Sequence, residues 1–241
     1  MLRNLGRRGS LLVVIAVPAF AIACSNDSSN SGNPTEPSAG GSGSGVCRTY
    51  PTAANVTTTA LGQTFTASLT GAFDTSSNRL TITTMSAGGA LCTTSVSAYQ
   101  SKNDFVDEVR VIPGVQLPTS TTTTNSGGCG SGTSTVNYTY DSQRRLTSFT
   151  TTAFGVSGTT TYTAWDSSGR PTAGSFPGTT IQNVYDDAAR TWTQTQTTGG
   201  STSTTFMTFD ANGSQVSVVV TSGPVTTTTT FTNTATAQVC K

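Results

Sequence analysis

The 241-residue chain contains no histidine. Histidine is the most frequent general base and a frequent metal ligand, so its absence removes Ser-His-Asp and Cys-His nucleophile activation and His-containing zinc sites. Carboxylates alone still serve some hydrolases, but we expect no enzyme. The sequence predicts no catalytic residue, no metal ligand set and no cofactor.

Charged residues are also scarce. Asp, Glu, Lys and Arg make up 10% of the chain, and the formal net charge is +1. A nucleic-acid-binding domain needs a basic face, and electrostatic binding to anionic lipid needs a polybasic segment. Neither is present, so we expect no nucleic-acid partner.

Large apolar residues are few as well. Leu, Ile, Val and Phe together account for 44 of the 241 residues, about 18%. Disordered chains have such low values, but they also carry a high net charge. Here Thr and Ser replace the missing apolar residues, and β-branched Thr fits a half-buried pleated strand. The composition therefore favours a Thr-rich β-protein.

Residues 1–23 have the pattern of an export signal. Three arginines precede an apolar segment from Leu11 to Ala23, and small residues precede Cys24. The apolar segment spans roughly 20 Å as a helix, which is shorter than the ~30 Å hydrocarbon core of a bilayer. We therefore predict a cleaved signal rather than a permanent transmembrane helix.

The last residues of this signal, Ala21-Ile22-Ala23-Cys24, resemble the lipobox of bacterial lipoproteins. The resemblance implies cleavage before Cys24 and lipid attachment to it, which makes the membrane a partner. An ordinary secretory signal with an incidental cysteine is the alternative. Ser25 rather than Asp follows, which favours the outer membrane under the sorting rule of some Gram-negative lipoproteins. The expected location is the cell envelope, at the periplasmic face or the cell surface.

The remainder divides by composition. The lipidated cysteine and a Gly/Ser/Pro-rich linker occupy 24–45, a flexible tether with a reach of roughly 25 Å. We predict an N-terminal β sub-unit at 46–118, a Thr/Ser/Gly-rich connector at 119–134 and a hairpin repeat region at 135–241.

Four cysteines follow Cys24, namely Cys47, Cys92, Cys129 and Cys240. Disulfides persist in the oxidising compartment that an exported protein enters. No CxxC spacing is present, so neither a zinc cluster nor a redox pair is expected. Of the three possible pairings, we favour Cys47–Cys92 with Cys129–Cys240, because each bridge then closes one sub-region.

Five segments share an aromatic residue followed by Asp and a short polar stretch. In four of them an Arg comes four or five residues after the Asp. The motif residues are Phe73, Asp74 and Arg79; Tyr140, Asp141 and Arg145; Trp165, Asp166, Gly169 and Arg170; Tyr185, Asp186 and Arg190; and Phe209, Asp210 and Gly213. The last four Asp residues are 20 to 25 residues apart, which is the length of a hairpin repeat.

The motif predicts a specific turn. Asp at the first position of a type I turn accepts a hydrogen bond from the backbone two residues later, and Gly at the fourth position adopts a positive φ. This combination is the three-residue hairpin with a bulge. The alternation of Val136, Tyr138 and Tyr140 supports strands between such turns. We therefore predict an all-β fold, a disulfide-braced antiparallel sheet of hairpin repeats that curls on itself or takes a partner strand.

The Tyr-Asp-x-x-Gly-Arg-Leu pattern resembles the YD repeat of the RHS family. The likeness covers about residues 133–222, with an outlying copy near Phe73, and is clearest at 140–146 and 166–170. It implies a hairpin architecture and a loose association with carbohydrate or cell-surface contact. Large RHS proteins wrap many such hairpins into a shell around a toxin, and we expect this domain to be too short for that. The motif residues are expected to build hairpins rather than to bind a ligand.

One stretch, Lys102 to Gly114, is dense in charge, and its pattern fits either a helix or a strand. Asp104, Asp107 and Glu108 are potential Ca²⁺ ligands, but no known calcium-loop spacing is present, so an ion-paired turn is favoured. Aromatic residues either fill a core or stack on sugars, and the core is favoured because other apolar residues are scarce. These aromatic candidates are Tyr138, Tyr162, Trp165, Tyr185 and Trp192.

We therefore expect an exported, lipid-anchored envelope protein with a non-catalytic binding or structural role, in contact with glycan or another surface protein. The alternative is a carboxylate-dependent hydrolase of the cell envelope. That alternative requires a cleft with two carboxylates roughly 5–10 Å apart.

Overall fold

A computed structural model describes residues 24–25, 47–107, 118–126, 129–211 and 214–240. The predicted signal, most of the predicted tether, the second half of the charge-dense stretch and Gly213 lie outside these residues.

The described residues form fifteen strands and one helix, α1 (Lys102–Asp107). In chain order the strands are β1 (Cys24–Ser25), β2 (Cys47–Ala60), β3 (Gln63–Asp74), β4 (Arg79–Ser86), β5 (Leu91–Ala98), β6 (Ser120–Asn125), β7 (Gly132–Tyr140), β8 (Leu146–Ala153), β9 (Val156–Trp165), β10 (Pro171–Phe176), β11 (Thr179–Asp186), β12 (Thr191–Thr198), β13 (Ser201–Phe209), β14 (Gln215–Ser222) and β15 (Val225–Cys240). No helix within the described ranges is long and apolar enough to span a lipid bilayer.

Strands β2 to β15 form one closed antiparallel sheet. Each strand pairs with the next along the chain, and β2 pairs with both β3 and β15, which closes a fourteen-stranded barrel. The short β1 adds beside the start of β2, with Cys24 opposite Thr49. The predicted all-β hairpin fold is therefore confirmed. Closure pairs the edges that an open sheet would expose.

The segment 119–134, interpreted as a connector, continues this sheet. It contains β6 and the beginning of β7, and these two strands pair with each other from Ser120↔Asn137 to Asn125↔Gly132. Strands β6 and β7 are therefore part of the barrel wall.

The turns at the two ends of the barrel differ in kind. One end, here the Asp-turn end, carries the five Asp-containing turns, helix α1, Cys47 and Cys240. The other end, here the mouth, comprises the intervening turns and the strand ends beside them. Several mouth turns have two residues, such as Leu61-Gly62 and Phe154-Gly155, with both φ angles positive. Such turns match the right-handed twist of paired strands.

The apolar interior lies towards the Asp-turn end and consists of three clusters, each built by neighbouring strands. Because side chains alternate along a strand, every second residue points inward. The first cluster centres on Leu80 and Phe105, the second on Trp192 and Met207, and the third on Leu146 and Tyr162. All five aromatic residues considered above belong to or pack against the second and third clusters, as the core interpretation predicted: Tyr138, Tyr162, Trp165, Tyr185 and Trp192.

Threonine and serine hydroxyls pair across neighbouring strands on the inner wall. Thr58 and Thr229 are 3.0 Å apart between their hydroxyl oxygens, and Ser97 and Thr121 are 2.9 Å apart. Because buried polar groups are costly unless hydrogen-bonded, this pairing lets a Thr-rich chain form an inner wall with few large apolar residues.

Helix α1 packs into the barrel at the Asp-turn end. It begins after Ser101, whose hydroxyl accepts the Asp104 backbone N–H and donates to the Asp104 carboxylate, a reciprocal N-terminal cap. The buried Phe105 ring contacts Phe73 and Tyr99. Arg48 lies over that ring, 4.1 Å from its centroid, and donates to the Phe105 carbonyl at 2.7 Å. Of the two readings of the charge-dense stretch, the helix is therefore correct for its first half.

The favoured disulfide pairing was wrong. The bridges join Cys47 to Cys240 and Cys92 to Cys129. The prediction assumed that each bridge closes one sub-region. In the closed barrel the first and last long strands are neighbours, and Cys47 and Cys240 face each other in register. The ring closure therefore determines the pairing.

Candidate functional site

The Asp166 turn has the geometry predicted from the motif. The Gly169 backbone N–H donates to the Asp166 carbonyl at 3.0 Å, which closes the turn, and Gly169 has a φ of 79°. Asp166 Oδ1 accepts the backbone N–H groups of Ser168 and Arg170, both at 2.9 Å. Together these bonds form a type I turn followed by a left-handed residue.

The same frame recurs in two other turns. Asp141 Oδ1 accepts the backbone N–H groups of Gln143 and Arg145 at 2.9 Å, and Arg144 takes the left-handed position with a φ of 62°. Asp210 Oδ1 accepts the Ser214 backbone N–H at 2.8 Å, also four residues later. Aspartate thus organises these turns by satisfying their backbone donors.

In the Asp141 and Asp166 turns the arginine of the motif connects one turn to the next. Arg145 Nε donates to Asp141 Oδ2 at 2.7 Å, while its guanidinium lies 4.6 Å from the ring centroid of Trp165. Arg170 repeats this with Asp166 at 2.7 Å and with the ring of Tyr185 at 4.4 Å. Each arginine therefore binds its own aspartate and stacks on the aromatic residue of the following repeat.

The Asp74 and Asp186 turns are one residue longer. In them the left-handed residue lies four positions after the Asp, at Asn78 and Arg190. Arg190 was aligned with Arg170 because both follow the Asp by four residues. The extra residue instead places exposed Arg190 where the shorter turn has Gly169. That part of the alignment was wrong.

Hydrogen bonds lower the pKa values of three turn carboxylates, Asp74, Asp141 and Asp166. Those from the Ser77 and Ser76 side chains lower the pKa of Asp74 to about 2. A backbone bond from Arg145 lowers the pKa of Asp141. Partial burial raises the pKa of Asp166, but bonds from the Arg170 backbone and side chain outweigh it and lower the pKa overall. A general acid needs a raised carboxyl pKa, the opposite of these shifts.

Of the three candidate calcium ligands, the structure describes the side-chain contacts of Asp104. Asp104 forms an ion pair with Arg144 and accepts the Ser101 hydroxyl. Glu108 lies outside the described residues. Within the described ranges, no group of three or more His, Cys, Asp or Glu side chains is arranged to hold a metal ion.

The mouth differs from the Asp-turn end in charge. Every charged residue of the described ranges lies at the Asp-turn end, in a turn, in α1 or within two residues of a strand end there. The mouth turns and the strand ends beside them consist of Thr, Ser, Gly, Gln, Asn and apolar residues. One end of the barrel is therefore ionic and the other is uncharged.

The mouth also exposes large apolar side chains. Phe154, in a turn, is 82% exposed, and Leu61 is 79% exposed. Phe65 lies on the same face of β3 as buried Leu69, yet it is 59% exposed. Val156 lies on the same face of β9 as buried Thr160, yet it is 73% exposed. Inward-facing residues are thus covered near the Asp-turn end and accessible at the mouth, so the barrel opens at this end.

Phe176 is held against the inner wall of the mouth. A Cβ on Gly158 would lie 2.3 Å from Phe176 Cε2, so the ring occupies space that only glycine leaves open. An open groove of about 530 Å³ lies at the β10–β11 hairpin beside this ring, lined also by Pro177, Thr159 and Thr161.

A chain of amides runs along the inner wall beside this hairpin. Gln196 Nε2 donates to Gln194 Oε1 at 2.7 Å, and Gln194 Nε2 donates to Asn183 Oδ1 at 3.1 Å. Asn183 Nδ2 donates in turn to the Pro171 carbonyl at 2.9 Å. Gln196 lies two strands from Phe176, a separation of roughly 10 Å across the sheet.

Sequence reasoning missed the mouth because it concentrated on the Asp motifs. The signal was nevertheless present: the stretches 49–73, 80–101, 146–165 and 191–209 carry no charge, and each except 80–101 reaches a two-residue turn with Gly near its middle. Such turns were predictable as the opposite ends of the Asp hairpins.

Comparison with known proteins does not assign the chain to a family. No family model matches the chain, and no curated protein matches it. One solved structure with some likeness is the complex of MucA and MucB from Pseudomonas aeruginosa, which is 10% identical and covers 76% of this chain and 88% of that chain. Its TM-score is 0.17, and at that value the likeness supports no conclusion.

Proposed function

We propose that the chain is an exported, lipid-anchored protein of the cell envelope, at the outer membrane, with a non-catalytic binding role. The observation that carries the binding role is the separation of an ionic Asp-turn end from an uncharged, open mouth with exposed apolar side chains. Exposed apolar side chains clustered on an otherwise polar surface mark interaction sites.

The position of the tether supports this role. Cys47, where the described domain starts, lies at the Asp-turn end, and β1 brings the backbone of Cys24 to the same end. Strand β3 has 12 residues, so the mouth lies at the far end of a strand roughly 40 Å long. A lipid on Cys24 would hold the Asp-turn end near the membrane and present the mouth away from it.

The turn chemistry favours a non-catalytic role over the hydrolase alternative. The carboxylates of Asp141 and Asp166 accept backbone N–H groups of their own turns and pair with arginine, which suits them to building hairpins. The YD-like repeats then serve as the scaffold that carries the mouth, and the relation to the RHS family remains part of this proposal.

Lipid attachment and location test the proposal directly. The full chain is expressed in a Gram-negative host, and the membrane-extracted protein is analysed by intact mass spectrometry. We expect a mature chain that begins at Cys24 and carries added acyl mass, in the outer-membrane fraction. Cys24→Ser removes that mass and Ser25→Ala does not. A mature chain that begins elsewhere without acyl mass contradicts the anchoring.

A further inference from the structure

We propose that the mouth binds a neutral oligosaccharide, with the rings of Phe176 and Phe154 as its stacking surfaces. This inference rests on the proposed binding function and specifies its ligand. Three properties of the mouth carry it: the lack of charge, the hydrogen-bonding wall and the aromatic rings.

The lack of charge selects a neutral ligand. A charged ligand entering the mouth loses hydration, and no counter-charge of the described residues lies there to replace it. The arginines and aspartates are at the opposite end of strands that have 6 to 16 residues. Anionic polysaccharides and nucleic acid are therefore disfavoured.

The composition of the wall selects a hydroxyl-bearing ligand over a hydrocarbon chain. Inward-facing residues around the mouth include Thr58, Thr179 and Gln196, which carry hydroxyl and amide groups. A hydrocarbon chain offers no hydrogen bonds to such groups, whereas a sugar both donates and accepts them. A lipid-binding barrel would need a largely aliphatic wall at this level.

The two rings supply the apolar contact that a sugar also needs. Phe176 is 39% exposed and is held against Gly158, and Phe154 lies against Gly132 of β7. The Phe176 ring is already positioned and therefore loses little conformational entropy on binding. Aromatic rings beside hydroxyl and amide groups match a ligand that has both C–H faces and hydroxyls.

The test uses the detergent-purified mature protein and a panel of hexasaccharides. Cellohexaose, chitohexaose and maltohexaose are the neutral probes, and a galacturonic acid hexamer is the charged probe. We expect isothermal titration calorimetry to show binding of at least one neutral probe and none of the charged one. Phe176→Ala and, independently, Phe154→Ala should weaken that binding about tenfold or more.

Phe206→Ala is the matched control. Phe206 is 37% exposed, almost the same as Phe176, but it lies on the outer wall of β13 between inward-facing Thr205 and Met207. The Phe206→Ala variant should bind the probe with the same affinity as the unsubstituted protein. Circular dichroism and urea unfolding verify the fold of each variant, and the 82% exposure of Phe154 makes its truncation the least disruptive.

Several outcomes overturn the inference. They are the absence of binding by every neutral probe at millimolar concentration, equal loss in Phe206→Ala, and preferential binding of the charged probe. A non-covalently bound lipid, or a dimer that Phe176→Ala dissociates, would assign the mouth to a lipid or a second copy instead. The lipid-anchor experiment is separate, so a lipidated protein without sugar binding refutes this inference alone.

Discussion

At the scale of single residues, Arg170 shows how one repeat is joined to the next. Its side chain is buried, pairs with Asp166 and Asp187, and covers the ring of Tyr185. The sequence motif shows that an arginine recurs after the turn, but its position over the next repeat's aromatic ring becomes visible only when neighbouring hairpins are placed side by side.

Removal of Arg170 should therefore destabilise the barrel. We expect Arg170→Ala to lower the free energy of unfolding by about 2 kcal/mol, because two carboxylates lose their partner and an aromatic ring loses its cover. The matched variant Arg190→Ala, at an exposed turn position, should change it by less than about 0.5 kcal/mol. Urea unfolding measures both values. Equal losses in the two variants would contradict the connecting role of Arg170.

The left-handed turn position provides a second test. Gly169 and Arg190 occupy this position in different turns, with φ angles of 79° and 53°. Only glycine adopts such angles without strain. Gly169→Ala should therefore lower the free energy of unfolding by about 1 kcal/mol, and Arg190→Gly should raise it by roughly 0.5–1 kcal/mol. Thermal unfolding should give midpoint shifts of opposite sign. Shifts of the same sign would refute the turn alignment.

For the individual elements, the prediction succeeded where the cause is local. The turn at Asp141 was predictable because a carboxylate, a backbone and one left-handed residue lie within five positions of each other. The longer turn at Asp186 was misaligned because one additional residue changes which position becomes left-handed. Helix α1 was ambiguous because Phe105, Val109 and Ile112 have helical spacing while Val109 and Val111 alternate as in a strand.

The turns also predict the acid response of the fold. Asp74, Asp141 and Asp166 have lowered pKa values in the folded protein, so the unfolded chain binds protons more readily than the folded one. Their stabilisation is complete above about pH 4 to 5 and is lost as pH falls through the lowered pKa values.

Unfolding in urea at a series of pH values checks this response. The free energy of unfolding should be nearly constant from about pH 7 to 5 and should fall below about pH 4. The double variant Asp141→Asn, Asp166→Asn should be less stable at neutral pH and should show a shallower acid decline. An unchanged acid slope in that variant would show that other groups control it.

At the scale of the whole molecule, ring closure was the property that sequence reasoning could not supply. The pairing of β2 with β15 joins residues that are 167 (Ala60 and Thr227) to 193 (Cys47 and Cys240) positions apart, and no local pattern encodes such a contact. The sequence indicated only that free edges were unfavourable and that curling would remove them. The wrong disulfide pairing follows from this one missing contact.

The disulfides provide the corresponding prediction. Peptide mapping without reduction should recover Cys47 linked to Cys240 and Cys92 linked to Cys129. In the chain-entropy model, loss of the first bridge costs about 5 kcal/mol and loss of the second about 4 kcal/mol, because the closed loops have separations of 193 and 37 residues. The Cys47→Ser, Cys240→Ser variant should therefore unfold at lower urea than the Cys92→Ser, Cys129→Ser variant. The reverse order would show that the second bridge matters more.

Closure with alternating strand direction also restricts how this architecture can change in size. A ring in which every strand runs opposite to both neighbours requires an even count, and fourteen satisfies that condition. Deletion of a single strand would force one parallel pair, which two-residue turns cannot connect. Viable shorter or longer versions should therefore differ by whole hairpins, each adding or removing one aspartate corner together with one tight turn.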